Sequence, residues 1–314
     1  LFFMGAQSAF FGPLKFSILP QHLNEDELVA GNGLVSAGTY IAILTGTLCG
    51  GLFILRPEGR AFISAGVVGV AVAGFISSLF IPKAEPSVSG MKFNWDPFRS
   101  TMEIISYVRP NVVVFRSILG ISWFWFLGSV FLSQFPTFSK DILGGNEEVS
   151  TLFLVVFSVG VGLGSTLCNR LLKGKISARL VPFGCIGMTA ATLLLYFFSL
   201  TVPKSGDLSG IAEFISKPGS WGVIFSFLML AASGGIFSVP MYALMQSRSS
   251  DEHRARVVAC LNITDSFGMV LSAIFVSVLL LLDISIMNIF LFIGLVNLLI
   301  TPILGRLARD EDEK

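Results

Sequence analysis

Apolar residues run in nine long blocks along this 314-residue chain, at roughly 1–19, 29–55, 61–82, 113–136, 149–172, 178–202, 220–244, 257–282 and 284–305. Short loops that hold most of the charge separate them. Most blocks are uncharged for about 20 residues, the length at which a helix rising about 1.5 Å per residue crosses a hydrocarbon core about 30 Å thick. A soluble protein could not wrap so many such helices in polar surface. The pattern predicts an all-α polytopic membrane protein, and any function must be read as membrane function.

Charge gives the predicted helices a direction. With the loop after the first block on the cytoplasmic side and strict alternation from there, all of the 21 Lys and Arg fall on that side except Arg56, Arg60, Lys140, Lys204 and Lys217. Such a bias is the signature of cytoplasmic loops. It predicts a cytoplasmic C-terminus and, with nine spans, an outside residue 1. The net charge of +1 says nothing by itself.

The longest cytoplasmic connection, Lys83 to Asn111, divides the spans three and six. Within it, Asp96 is a candidate N-cap, Pro97 a first helical residue, and Phe98, Met102, Ile105 and Val108 an apolar face ended by Pro110. The expectation is a short amphipathic helix on the inner membrane surface, or else a partly ordered linker. Six spans after a long central loop make half of a twelve-helix, two-bundle transporter. The expected domains are residues 1–82, the second part of a first bundle; 83–112, the linker; 113–306, a six-helix bundle; and 307–314, a charged cytoplasmic tail. On this expectation the first three helices are missing. Transporters of this kind bind substrate near the midplane, between bundles that rock about it.

Candidate chemistry is sparse. Cys49, Cys168, Cys185 and Cys260 fall in or at the ends of spans without metal-like spacing, and His22 and His253 sit in loops without a second ligand. Neither a metal nor a cofactor is expected, nor nucleic acid as a partner. There is no GxSxG, Walker loop or HxxxxD motif, so no enzyme site is expected. Gly38, Ala42, Gly46 and Gly50 recur every four residues, and Gly160, Gly162 and Gly164 cluster; both read as ridges for close helix packing.

Asp265 is the one ionisable residue well inside a block, about 12 Å along the helix from Val257. A carboxylate there is costly unless it faces a cavity or a partner. Asn262, Asp265, Ser266 and Ser272 share one helical face. The stripe reads either as a cavity wall, with Asp265 binding a cation, a proton or a substrate ammonium, or as a hydrogen bond between helices. Lys15 either snorkels to the interface or enters the cavity to meet a phosphate. Gln134, Asn288 and Asn297 are polar without charge.

These segments resemble the lysophospholipid transporter branch of the major facilitator superfamily, which includes the permease portion of bacterial acyl-carrier-protein-dependent phospholipid acyltransferase fusions. Phe11-Gly12-Pro13-Leu14-Lys15-Phe16-Ser17-Ile18-Leu19-Pro20 looks like the family's fourth helix with its lysine. Asn32-Gly33-Leu34 with Ala37-Gly38-Thr39 looks like the fifth. Gly234-Gly235-Ile236-Phe237-Ser238-Val239-Pro240, with Gln246, looks like the tenth, and Asn262-Ile263-Thr264-Asp265 like the eleventh. The resemblance covers helices four to twelve and implies a major facilitator fold without its first three helices. It implies flipping of lysophospholipid, chiefly lysophosphatidylethanolamine, across the bacterial inner membrane for reacylation by a fused or associated acyltransferase. Lys15 would suit the phosphate, and Asp265 an ammonium or a coupling ion; Asn32, Gln134 and Asn262 complete the expected substrate contacts. Ser36 stands where relatives often carry glutamate, and Phe131-Leu132-Ser133-Gln134 where some carry arginine. Export of a drug or other small solute by a different facilitator is the alternative.

Overall fold

The computed structural model of the chain describes residues 2–54, 56–84, 96–204, 206–250 and 252–312. Among them every regular element is helical. They are α1 (Phe2–Ser17), the four-residue α2 (Leu19–His22), α3 (Leu28–Ile54), α4 (Gly59–Ser78), α5 (Pro97–Val108), α6 (Val112–Thr137), α7 (Glu147–Leu172), α8 (Val181–Thr201), α9 (Ile211–Ser216), α10 (Ser220–Ser247), α11 (Arg254–Leu281) and α12 (Ile286–Asp312).

Local chemistry sets the ends. Asn111 Oδ1 accepts from the Val114 amide at the start of α6, and Asn146 Oδ1 accepts from Glu148 at 2.9 Å at the start of α7. Lys173, at φ 52°, terminates α7 in the left-handed conformation. Seven helices among the described residues are long and apolar enough to cross a membrane. Two of the nine predicted blocks fall short of that length. The first stops at Ser17, where the chain turns into the proline-bearing α2, leaving 16 residues. The last has a shorter apolar run, Ile286–Pro302, before the charges of its tail.

Helices α6, α7, α8, α10, α11 and α12 form one bundle, with α10 at its centre against α6, α7 and α8. The α7–α10 contact is a backbone contact. A Cβ on Gly164 would sit 2.0 Å from the Ala232 carbonyl oxygen, one on Gly160 2.8 Å from that of Leu228, and one on Gly235 2.8 Å from that of Val161. Pro240 removes the amide that would pair with the Ile236 carbonyl. Cys168 Sγ donates to that carbonyl from α7 at 3.9 Å. At the far end, Phe135, Phe138, Phe153 and Phe227 pack in mutual edge and tilted contacts, and Phe290 joins Phe138 to Phe131, all buried.

The first helices lie against this bundle. α1 packs on α11, and α3 on α7 and α10. α3 changes character along its length. Leu28, Val29, Asn32 and Tyr40 are buried, but Ile41 is 59% exposed, and Gly38, Gly46 and Gly50 meet no atom within 4 Å. The predicted small-residue ridge of α3 therefore has no partner among the described residues, whereas Gly160 and Gly164 of α7 do.

α5 forms where the linker pattern places it, with Asp96 Oδ1 accepting from the Arg99 amide at 3.0 Å. Met102 is 68% exposed and Val108 buried. Residues 85–95 and the side chain of Phe98 lie outside the description. Tyr107 stacks on His253 with ring centroids 4.1 Å apart, and its hydroxyl lies 2.9 Å from Ser250 Oγ. The linker helix is thereby pinned to the α10–α11 loop.

Candidate functional site

α1 and α11 approach closely at a glycine. A Cβ on Gly12 would come within 2.7 Å of Asn262 Nδ2. α1 ends beside the end of α10, where Gln246 meets the Phe16 carbonyl, and α11 starts from the short loop that follows α10, so α1 and α11 run oppositely. Lys15, one turn beyond Gly12, lies on the side of the Lys- and Arg-rich loops, here termed the basic end. Asp265, one turn beyond Asn262, lies on the other side. At 1.5 Å per residue the two charges are offset by about 9 Å along the helices. Lys15 makes no ion pair among the described residues; its Nζ lies 5.0 Å from the centroid of the Phe16 ring. Asp265 is buried, and its Oδ1 accepts from Ser122 Oγ of α6 at 2.5 Å. The hydrogen bond between helices, one of the two sequence readings, is thus present. The other members of the stripe turn back on their own helix: Ser266 donates to the Asn262 carbonyl and Ser272 to that of Met269.

An aromatic chain links the helices around these charges. The Phe16 ring stacks on Tyr242 of α10 at 4.7 Å with 11° between planes. Trp125 of α6 donates from Nε1 to the Tyr242 hydroxyl at 2.9 Å. Tyr40 of α3 stacks on Trp125 at 6.3 Å and leans on Phe157 of α7 at 5.9 Å. Five helices besides α11 thus supply this half-polar aromatic chain, whose members Phe16, Tyr40, Phe157 and Tyr242 are buried against one another.

On the basic-end side of Tyr40, Asn32 is wholly buried and pairs with Gln246 of α10. Asn32 Nδ2 donates to Gln246 Oε1 at 2.6 Å, and Gln246 Nε2 donates to Asn32 Oδ1 at 2.9 Å. The remaining amide hydrogens go to the backbone: Asn32 to the Leu28 carbonyl at 2.9 Å and Gln246 to the Phe16 carbonyl at 3.1 Å.

The five expected contact residues are therefore only partly brought together. Asn262 meets α1 at Gly12, one turn from Lys15, while Asp265, one turn from Asn262, turns to Ser122 of α6. Asn32 uses its amide within the protein. Gln134 stands 12 residues from Ser122 on α6, about 18 Å toward the phenylalanine-rich end, and its Nε2 donates to the adjacent Ser133 at 3.4 Å. Asn297 joins α12 to its neighbours, accepting from Trp123 Nε1 at 2.9 Å and donating to the Cys185 carbonyl at 2.7 Å. Sequence reasoning missed Tyr40, Tyr242 and Ser122. The usable signal was that three of the chain's 4 tyrosines, Tyr40, Tyr196 and Tyr242, stand inside apolar blocks, where a hydroxyl needs a partner. No cluster of His, Cys, Asp and Glu suited to a metal occurs among the described residues.

The sequence model of the Major Facilitator Superfamily matches residues 1–216, and that of the PUCC protein family matches residues 149–309. The lysophospholipid transporter LplT of Cronobacter sakazakii is 26% identical over 272 residues, 85% of this chain and 63% of that protein. The LplT of Klebsiella pneumoniae is 27% identical over 274 residues, with the same coverage. That of Escherichia fergusonii is 25% identical over 275. The chain spans under two thirds of the length of these relatives.

Proposed function

The chain belongs to the major facilitator superfamily, and on that premise we propose that it carries lysophospholipid across the bacterial inner membrane by alternating access. The C-terminus is cytoplasmic, and the basic end faces the cytoplasm. The observation that carries this reading is the pair of opposite charges that α1 and α11 carry, each one turn from the Gly12–Asn262 contact, near the aromatic chain. Their offset is too large for a direct ion pair. A head group holding both a phosphate and an ammonium can bridge it, and the rings can receive the start of an acyl chain. Lys15 takes the phosphate as a mobile point charge. Asp265, with Asn262 beside it, takes the ammonium or a coupling ion. The likeness to lysophospholipid transporters supports the same substrate. In this reading the chain performs no chemistry; an acyltransferase, fused or associated, consumes the lipid delivered.

The test is transport of fluorescent lysophosphatidylethanolamine, normalised to folded protein. Lys15→Ala is expected to reduce the normalised rate strongly and Lys15→Arg to recover part of it. Asp265→Asn is expected to reduce the rate and to change its dependence on sodium or pH. Unchanged normalised rates in both Lys15→Ala and Asp265→Asn would remove the seam from the site. Transport of a hydrophilic solute without transport of the lysolipid would favour the small-solute exporter.

A further inference from the structure

We propose that the reciprocal amide pair of Asn32 and Gln246 is a latch that holds the basic end of the molecule closed, and that Gln246 is also a positioning residue for Lys15. This rests on the transport reading above and adds to it the device that must open.

Three observations place the latch. First, the pair is chemically complete: all four amide hydrogens have acceptors inside the protein and both amide carbonyls are engaged, so neither side chain has a spare donor for a ligand. Second, it joins three helices that otherwise meet through apolar packing. Gln246 of α10 holds Asn32 of α3 and, through the Phe16 carbonyl, the helix that carries Lys15. Lys15 precedes Phe16 directly, so a shift of that carbonyl moves the ammonium. Third, the contact is confined to one end. Around the pair, Leu28, Val29, Cys168, Leu172, Val239 and Ala243 form a buried apolar plug. Nearer still to the basic loops, Gly174, at φ +75°, lies so close to the Asp26 carbonyl that a Cβ there would sit 2.8 Å from it. Toward the other end, the Ser158 Oγ contact with the Tyr40 carbonyl at 3.4 Å is followed by the exposed stretch of α3. Among the described residues the polar and close contacts of α3 with α7 and α10 are thus gathered toward the basic end.

A neutral amide pair suits a seal that must open repeatedly. Water replaces each of its hydrogen bonds, and no ion has to be stripped from a partner.

Two measurements test the proposal in the protein as the cell makes it. In the first, Asn32→Cys and Gln246→Cys are combined and bridged with a short, reducible bis-methanethiosulfonate. Transport is expected to fall to background and to return with reductant, while each single variant, treated alike, keeps its own untreated rate. Full transport by the bridged protein would overturn the latch. In the second, Val29→Cys, wholly buried in the closed plug, reports opening through its labelling by an impermeant maleimide from the basic side. Adding Gln246→Leu, which keeps the volume and removes the hydrogen bonds, is expected to raise that labelling rate roughly tenfold. An unchanged rate would overturn the proposal even where the double-cysteine protein fails to fold. The labelling readout needs no substrate. A protein that moves no lysolipid yet still shows this dependence on Gln246 would sink the substrate reading and leave the latch standing.

Discussion

Single residues in this bundle divide sharply into those with neighbours and those without. Gly164 has no room for a methyl group beside the Ala232 carbonyl, so Gly164→Val forces α7 and α10 apart. The expected cost is at least about 1–3 kcal/mol, read as a fall in the thermal midpoint of the detergent-solubilised protein. Gly46 faces nothing within 4 Å. Gly46→Ala is therefore expected to leave that midpoint unchanged or to raise it slightly, because alanine holds a helix better than glycine. The sequence shows both as members of small-residue ridges and cannot tell them apart, since the difference lies in what stands opposite. Lys15 and Asp265 were legible for the contrary reason: a charge inside an apolar block is conspicuous whatever surrounds it. Asn32 was legible as a polar residue, but its partner lies 214 positions away, and no local pattern announces such a pairing.

At the scale of elements, apolar length predicts the helices and caps predict their starts. Asp96 before Pro97 is enough to place α5, and the structure forms it there. What the pattern misses is how an interrupted helix is repaired. Pro240 lies inside α10 without breaking it, because the freed Ile236 carbonyl receives the Cys168 thiol from the neighbouring helix. In a hydrocarbon core with no water to substitute, that donor counts. Cys168→Ser keeps a donor and is expected to retain stability. Cys168→Val removes it at similar volume and is expected to cost about 1 kcal/mol, measured as a lower midpoint in the same thermal assay. In the sequence Cys168 is one of four cysteines without metal-like spacing; it is wholly buried, and its role as a donor depends on a proline in another helix.

For the whole molecule, the alternation of loops is the feature most open to direct test. Cysteines at Asp207 and Lys175, both exposed and neither a helix cap, are expected to react with an impermeant thiol reagent from opposite faces of the membrane. Reaction of both from one face would refute the orientation drawn from the lysines and arginines. The all-helical architecture was readable in the apolar blocks, whereas the site was readable only as a few scattered polar letters. Its aromatic chain is assembled from α1, α3, α6, α7 and α10, and convergence of that kind is a product of packing. The amide pair has one more consequence. A charge carried through the membrane field does electrical work of about 2.3 kcal/mol per 100 mV, and a neutral amide does none. Release of Asn32 from Gln246 is therefore electrically silent. Polarising the vesicle is expected to leave the labelling rate of Val29→Cys unaltered, so that any voltage sensitivity of turnover comes from Lys15, Asp265 and the cargo they hold.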